Sequence, residues 1–254
     1  VKRDGVTGKA SMEAAPVQSH SPLAAGNTSW RLSFLFLSAI WGSSFLFMHW
    51  GAAGFGAFPT AGLRVSGAAI VLMALVIVRG ESGSLLKHWK PILLGGLLNS
   101  GIPFALYSYA VLSLDTGITA ILNATAPLFG AVIAWAWLGE RLGRLRWIGL
   151  TIGFVGVGLL AAPRADFGAG GSGLAVMAAL AACVCYGTAA SFARRYLTGI
   201  SPLVIAAGSQ LGAAAGLAIP TVVFWPSAAP GLRAWLSVGS LALMCTALAY
   251  GWCS

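Results

Sequence analysis

The sequence predicts an all-α polytopic membrane protein carrying an inverted internal repeat, and three observations predict it. Hydrophobic residues make up 58% of the chain and charged residues 8%. Soluble domains run near a quarter charged, so this chain has too little polar surface to wrap a water-facing fold. The apolar residues fall into eight runs, each near the ~20 residues that one helical crossing of a bilayer needs. Short motifs also recur at a near-constant offset along the chain. The alternating ~10-residue pattern of a membrane β-barrel is absent.

Residues 1–30 come first. They are polar, rich in Ser, Ala and Pro, and carry Lys2, Arg3 and Lys9, the composition of a disordered cytoplasmic tail. A secretory signal is not expected, because roughly 30 residues precede the first apolar run and no clear small-residue cleavage site follows it. The eight expected spans are then 32–50, 57–78, 91–112, 116–138, 147–162, 173–192, 202–225 and 234–253. Short gaps between them predict antiparallel neighbours.

Charge placement tests this division. With the amino terminus in the cytoplasm, the inner segments hold 12 of the 15 Lys and Arg residues. The outer segments hold only Arg164 and Arg233, and Arg64 lies within the second span. That bias is the positive-inside rule, and a wrong span count would scramble it. It predicts a multi-pass protein of the cell inner membrane. The same pattern excludes a nucleic-acid partner despite a net charge of +9, because the basic residues sit in short clusters between oily runs rather than on one soluble face. The segment "GERLGRLR" at 139–146 reads as an inner hairpin, since each Arg would cost about 2.5–3.5 kcal/mol at the bilayer centre. There Glu140 is expected to pair with Arg144 four residues on.

The repeat is carried by three matches. "WGSSF" at 41–45 resembles "YGTAA" at 186–190, Pro59 matches Pro202, and Tyr107 matches Tyr250 within "FALYSYA" and "TALAYGW". The offsets are 145, 143 and 143 residues, which span five runs. Five is odd, so a second copy would enter the membrane from the opposite side, as in many secondary transporters.

"WGSSF", the Pro59-to-"GLR" run and above all "TAILNATAPLFGAVIAWAWLGERLGRLRWIGLTIGFVGVGLL" resemble an EamA-type member of the drug/metabolite transporter superfamily. The resemblance runs from about Trp30 to Tyr250 and is specific only over 119–160. It implies ten helices in two inverted five-helix repeats, of which eight are present here: 31–163 as the first repeat and 172–254 as an incomplete second one of three helices. Adding the offset to Leu138 places the next counterpart near position 281, beyond Ser254, so a truncated chain is expected. The resemblance implies export or exchange of amino acids and other small metabolites by alternating access. The other reading is a non-transporting membrane subunit or an inactive carrier fragment.

Candidate substrate-binding residues follow from polarity within the spans. Pro127 removes a backbone hydrogen bond and frees the carbonyl of Asn123. Asn123 and Thr125 therefore face either a central cavity or a helix-packing seam. Arg64 is a basic residue inside a span; it either attracts a substrate carboxylate or snorkels outward or pairs with Asp115. Trp41, Tyr107, Tyr186 and Tyr250 would supply flat pocket walls, with Ser44, Asn99 and Gln210 adding polar groups. Trp50, Trp89, Trp147 and Trp225 read as interfacial anchors. The four cysteines read as buried, inert thiols. The glycine series 149–153 and 208–212–216 allow close helix approach, either for internal packing or for a homodimer contact. The expected partners are thus the lipid bilayer, a small-molecule substrate and a second copy of the chain.

No carboxylate falls in mid-span, which argues against a proton relay of intramembrane acids. No P-loop, Ser/His/Asp set or metal-ligand constellation occurs, so neither an enzyme nor a bound cofactor is expected.

Overall fold

A computed structural model describes residues 29–164 and 172–243. The chain divides into an amino-terminal unit ending at Phe36 and a second unit from Leu37 onward. The described residues of the first are the opening turns of a helix; the features below belong to the second.

The described residues form helices and turns without strands. Helix α1 covers Ser29–Phe55 and α2 Ala57–Val78. They are separated by Gly56 alone, at φ +85°, a left-handed conformation that glycine adopts without a Cβ penalty. A short α3, Ser82–Lys87, crosses the following loop. The third expected span is one continuous rod in three parts: α4 Trp89–Gly96, a π-helical turn Leu97–Gly101, and α5 Ile102–Ala110. The fourth is broken into α6 Thr116–Asn123 and α7 Ala126–Leu138. Then follow α8 Arg144–Ala161, α9 Gly173–Tyr196 and α10 Pro202–Val223. Helix α11, Leu232–Ser240, continues as a π turn through Leu243.

Six of these stretches, among the described residues, are long and apolar enough to cross a membrane. They coincide with the second to seventh expected spans. The first is covered by α1, which at 27 residues is about 40 Å long. Only the start of the eighth lies within the described residues.

Neighbour contacts give the helix directions. Helices α2 and α10 share the broadest interface. Gly62 near the start of α2 faces Thr221 near the end of α10, while Leu72 and Val76 pack on Leu203, Ala206 and Ala207. The two helices that the 143-residue offset pairs therefore run antiparallel. Helix α4 runs parallel to α10, with Ile92 against Gly208 and Leu97 against Gly216. Helices α7 and α9 are parallel, through Gly130 against Gly187 and a Glu140–Arg194 ion pair at their ends. Every one of these senses agrees with the alternation that the charges predicted.

Small residues make these approaches possible. A Cβ at Gly96 would collide with the backbone of Ser209, and one at Gly212 with that of Leu93. The 208–212–216 series is thus spent inside the bundle, one of its two expected uses. At Gly149 an added Cβ would meet open space.

Two local expectations are corrected. Glu140 pairs with Arg194 rather than Arg144. Helix α7 stops at Gly139, φ +69°, and Arg144 opens the next helix, so the continuous turn needed for an i, i+4 pair is missing. The kink expected at Pro127 is a full break: Ala124 and Thr125 form a turn between α6 and α7. Proline in the first turn of α7 lacks an N–H to bond back and its ring crowds the carbonyl four residues earlier.

Candidate substrate cavity and its polar neighbours

The break between α6 and α7 organises one polar cluster. Thr125 Oγ1 turns back to donate to the carbonyl of Leu122 at 2.6 Å, and the buried Cys183 thiol of α9 donates to the same oxygen at 3.3 Å. A helix opened in an apolar setting must have its carbonyls satisfied by protein or water, and these two side chains do so. Tyr107 of α5 donates to Asn123 Oδ1 at 2.9 Å and lies 3.2 Å from Cys183 Sγ. Its ring stacks on Tyr186 with centroids 6.1 Å apart and meets Phe45 of α1 edge-on at 5.7 Å. Four sequence candidates, Tyr107, Asn123, Thr125 and Tyr186, are therefore brought together. Cys183, read from sequence as an inert thiol, joins them by hydrogen bonding.

Tyr186 also packs against a second apolar cluster that contains Val65, Phe104 and Ala213. Phe104 is the ring on which Arg64 rests, 3.8 Å from the guanidinium to the centroid. Arg64 is buried, at 6% exposure, so the outward snorkel is corrected. A flat guanidinium stacks on an aromatic face at lower desolvation cost than an ammonium would incur.

A second polar group lies at the π turn. Gln210 Nε2 donates to Ser100 Oγ at 3.0 Å, both side chains being fully buried, while Gln210 Oε1 has no hydrogen-bond partner among the described residues. Next to each of these residues in sequence, Asn99 and Ser209 line a cavity of about 300 Å³ between α4 and the π turn, α9 and α10. The rest of its wall is apolar: Gly95, Ala189, Ala190, Ala193, Leu197, Pro202, Ile205 and Ala206. Such an apolar hollow with a few polar groups, at the low end of ligand-pocket volumes, has room for a metabolite-sized solute.

The remaining candidates lie elsewhere. Trp41 is exposed on α1. Ser44 is buried and bonds back to the carbonyl of Trp41 at 2.6 Å. Pro127 sits at the exposed start of α7. Tyr250 lies outside the described residues. Sequence reasoning missed Ser100, Ser209 and Cys183; only the polar pair "NS" at 99–100 hinted at the first.

Comparison with known proteins adds a family. A family model described as the EamA-like transporter family matches residues 28–162. The uncharacterized transporter YvbV of Bacillus subtilis is 30% identical over 124 residues, 49% of this chain and 40% of that protein. The uncharacterized inner membrane transporter YedA of Escherichia coli K12 is 30% identical over 125 residues, again 49% and 40%. The match thus spans about 40% of the length of these relatives. The uncharacterized transporter YdfC of Bacillus subtilis is 25% identical over 226 residues, covering 86% of this chain and 71% of its own. One crystal structure shares the fold with a TM-score of 0.61 at 23% identity, over 89% of this chain and 78% of its own.

Proposed function

Because the chain belongs to the EamA-like transporter family, we propose that it forms the membrane-embedded body of a secondary transporter for small metabolites, amino acids or related zwitterions, that works by alternating access. The observation that carries this reading is the cavity of about 300 Å³. Its walls come from α4 and the π turn in the first half of the chain and from α9 and α10 in the second. A solute held between two sets of helices can be exposed to either side by rocking one set against the other.

The lining supports the solute class. Ala and Ile side chains accept an apolar body, while Asn99 and Ser209 offer hydrogen bonds without fixed charge, which suits a molecule carrying no net charge of its own. The carboxylates of the sequence all lie in loops, tails or span ends, which favours exchange or uniport over proton coupling. The amino terminus is assigned to the cytoplasm by the basic residues of the inner segments. The neutral polar groups beside the cavity and the Tyr107 cluster are assigned to the solute path, with Arg64 flanking it.

Counterflow in proteoliposomes tests the reading. Vesicles loaded with unlabelled amino acid should accumulate labelled amino acid transiently without an ion gradient. A protein that moves no amino acid, nucleoside or amphiphilic drug overturns it.

A further inference from the structure

A second hollow, of about 460 Å³, opens between the end of α1 and the turn joining α5 to α6. Its wall holds His49, Trp50 and Asp115 beside the apolar Leu46, Leu112 and Leu114. His49 Nδ1 lies 2.7 Å from the carbonyl of Val111. A carbonyl can only accept, so Nδ1 carries a proton and donates, while Nε2 makes no hydrogen bond among the described residues. Asp115 precedes α6 but makes no side-chain capping bond, although Asp is among the preferred capping residues. Its carboxylate has no hydrogen bond or ion pair among the described residues. Trp50, which lines the hollow, also carries the guanidinium of Arg233 at 4.0 Å from its ring centroid. Arg233 forms no ion pair with a carboxylate among the described residues. One hollow is therefore lined by an unused carboxylate and by an aromatic ring over which a cation lies.

We propose that this hollow is a loading site for a zwitterionic solute with an apolar side chain. Asp115 takes its ammonium group, Arg233 over Trp50 takes its carboxylate, and the leucines take the side chain. The inference rests on the transport reading above and adds a site distinct from the cavity at Asn99 and Ser209. Opposite charges left unpaired with each other are complementary to a molecule that carries the same two charges reversed, and hold a molecule with a single charge less well.

The test is leucine counterflow by the purified protein in liposomes, with Asp115→Asn and Arg233→Gln as single variants. Both side chains are exposed, so neither change disturbs a packed core; a monodisperse size-exclusion profile confirms that each variant folds. Each should raise the half-saturating leucine concentration about tenfold while leaving the maximal rate within a factor of two. Competition separates the two charged groups: leucine methyl ester, which lacks the carboxylate, should lose inhibitory strength in Asp115→Asn and not in Arg233→Gln, and N-acetylleucine the reverse. Wild-type protein that moves leucine with a half-saturation unchanged by both variants overturns the loading site and leaves the transport reading standing. Wild-type protein that moves no leucine but does exchange another solute overturns the zwitterion assignment. Absence of any exchange overturns both.

Discussion

Tyr107 Oη donates to Asn123 Oδ1 at 2.9 Å, joining α5 to the last residue before the break in the fourth span. Inside a bilayer, interhelical hydrogen bonds of this kind contribute about 0.6 kcal/mol on average and about 1.7 at most. The rings around Tyr107, Phe45 and Tyr186, supply the larger part of its hold through packing.

Tyr107→Phe should therefore lower thermal stability only slightly, by about 0.6–1.7 kcal/mol. Tyr107→Ala leaves a large void and should cost about 3–5 kcal/mol, as for other buried aromatic truncations. Thermal unfolding in detergent, followed by tryptophan fluorescence, separates the two. Equal losses would show that the hydroxyl, rather than the ring, holds α5 against its neighbours.

The Glu140–Arg194 ion pair ties the ends of α7 and α9, and its arginine side chain is 61% exposed. Exposed pairs contribute about 0.2–1 kcal/mol, so Glu140→Gln should shift the unfolding midpoint by no more than a few degrees. The charge reversal Arg194→Glu should cost more, and restoring the pair with Glu140→Arg should recover most of that loss. Failure of the double reversal to recover anything would place the stabilisation in something other than charge.

The extent of what the sequence revealed follows from the range of each interaction. Spans and their alternation depend on hydropathy and charge along a single run, and α2, α9 and α10 begin where the apolar pattern begins. The π turn at Leu97–Gly101 has no such signature; it lies beside the close approach of α4 and α10 at Gly96 and Gly212. The polar clusters divide in the same way. Asn123 and Thr125 were legible beside Pro127, a local signal. Cys183, 58 residues beyond Thr125, joins them only through the packing of α9 on α6, and the partner of Gln210 lies 110 residues away. A polar residue in an oily run announces that it needs a partner; it does not say which one.

Gly212→Leu should be far more damaging than Gly149→Leu. At Gly212 even a Cβ meets the backbone of Leu93, whereas at Gly149 it meets open space. Overpacking typically costs about 1–3 kcal/mol, and more where backbone must move. Fluorescence-detected size exclusion of tagged variants should show aggregated or absent protein for Gly212→Leu and a normal peak for Gly149→Leu.

The Ser100–Gln210 pair gives a test that distinguishes a functional polar group from a structural one. Ser100→Ala removes the acceptor of Gln210 Nε2, leaving a fully buried amide with neither end bonded, and should cost about 1–3 kcal/mol. The double variant Ser100→Ala with Gln210→Leu replaces both partners by apolar groups of similar size, and should restore stability to the wild-type level or above it, since it also removes the unpartnered Oε1. A pair kept for packing would let the double variant transport normally. Next to a solute cavity lined by Asn99 and Ser209, the expected result is a protein that unfolds at or above the wild-type temperature and whose exchange rate falls at least tenfold. Stability and exchange recovering together in the double variant would remove the π turn from the transport path.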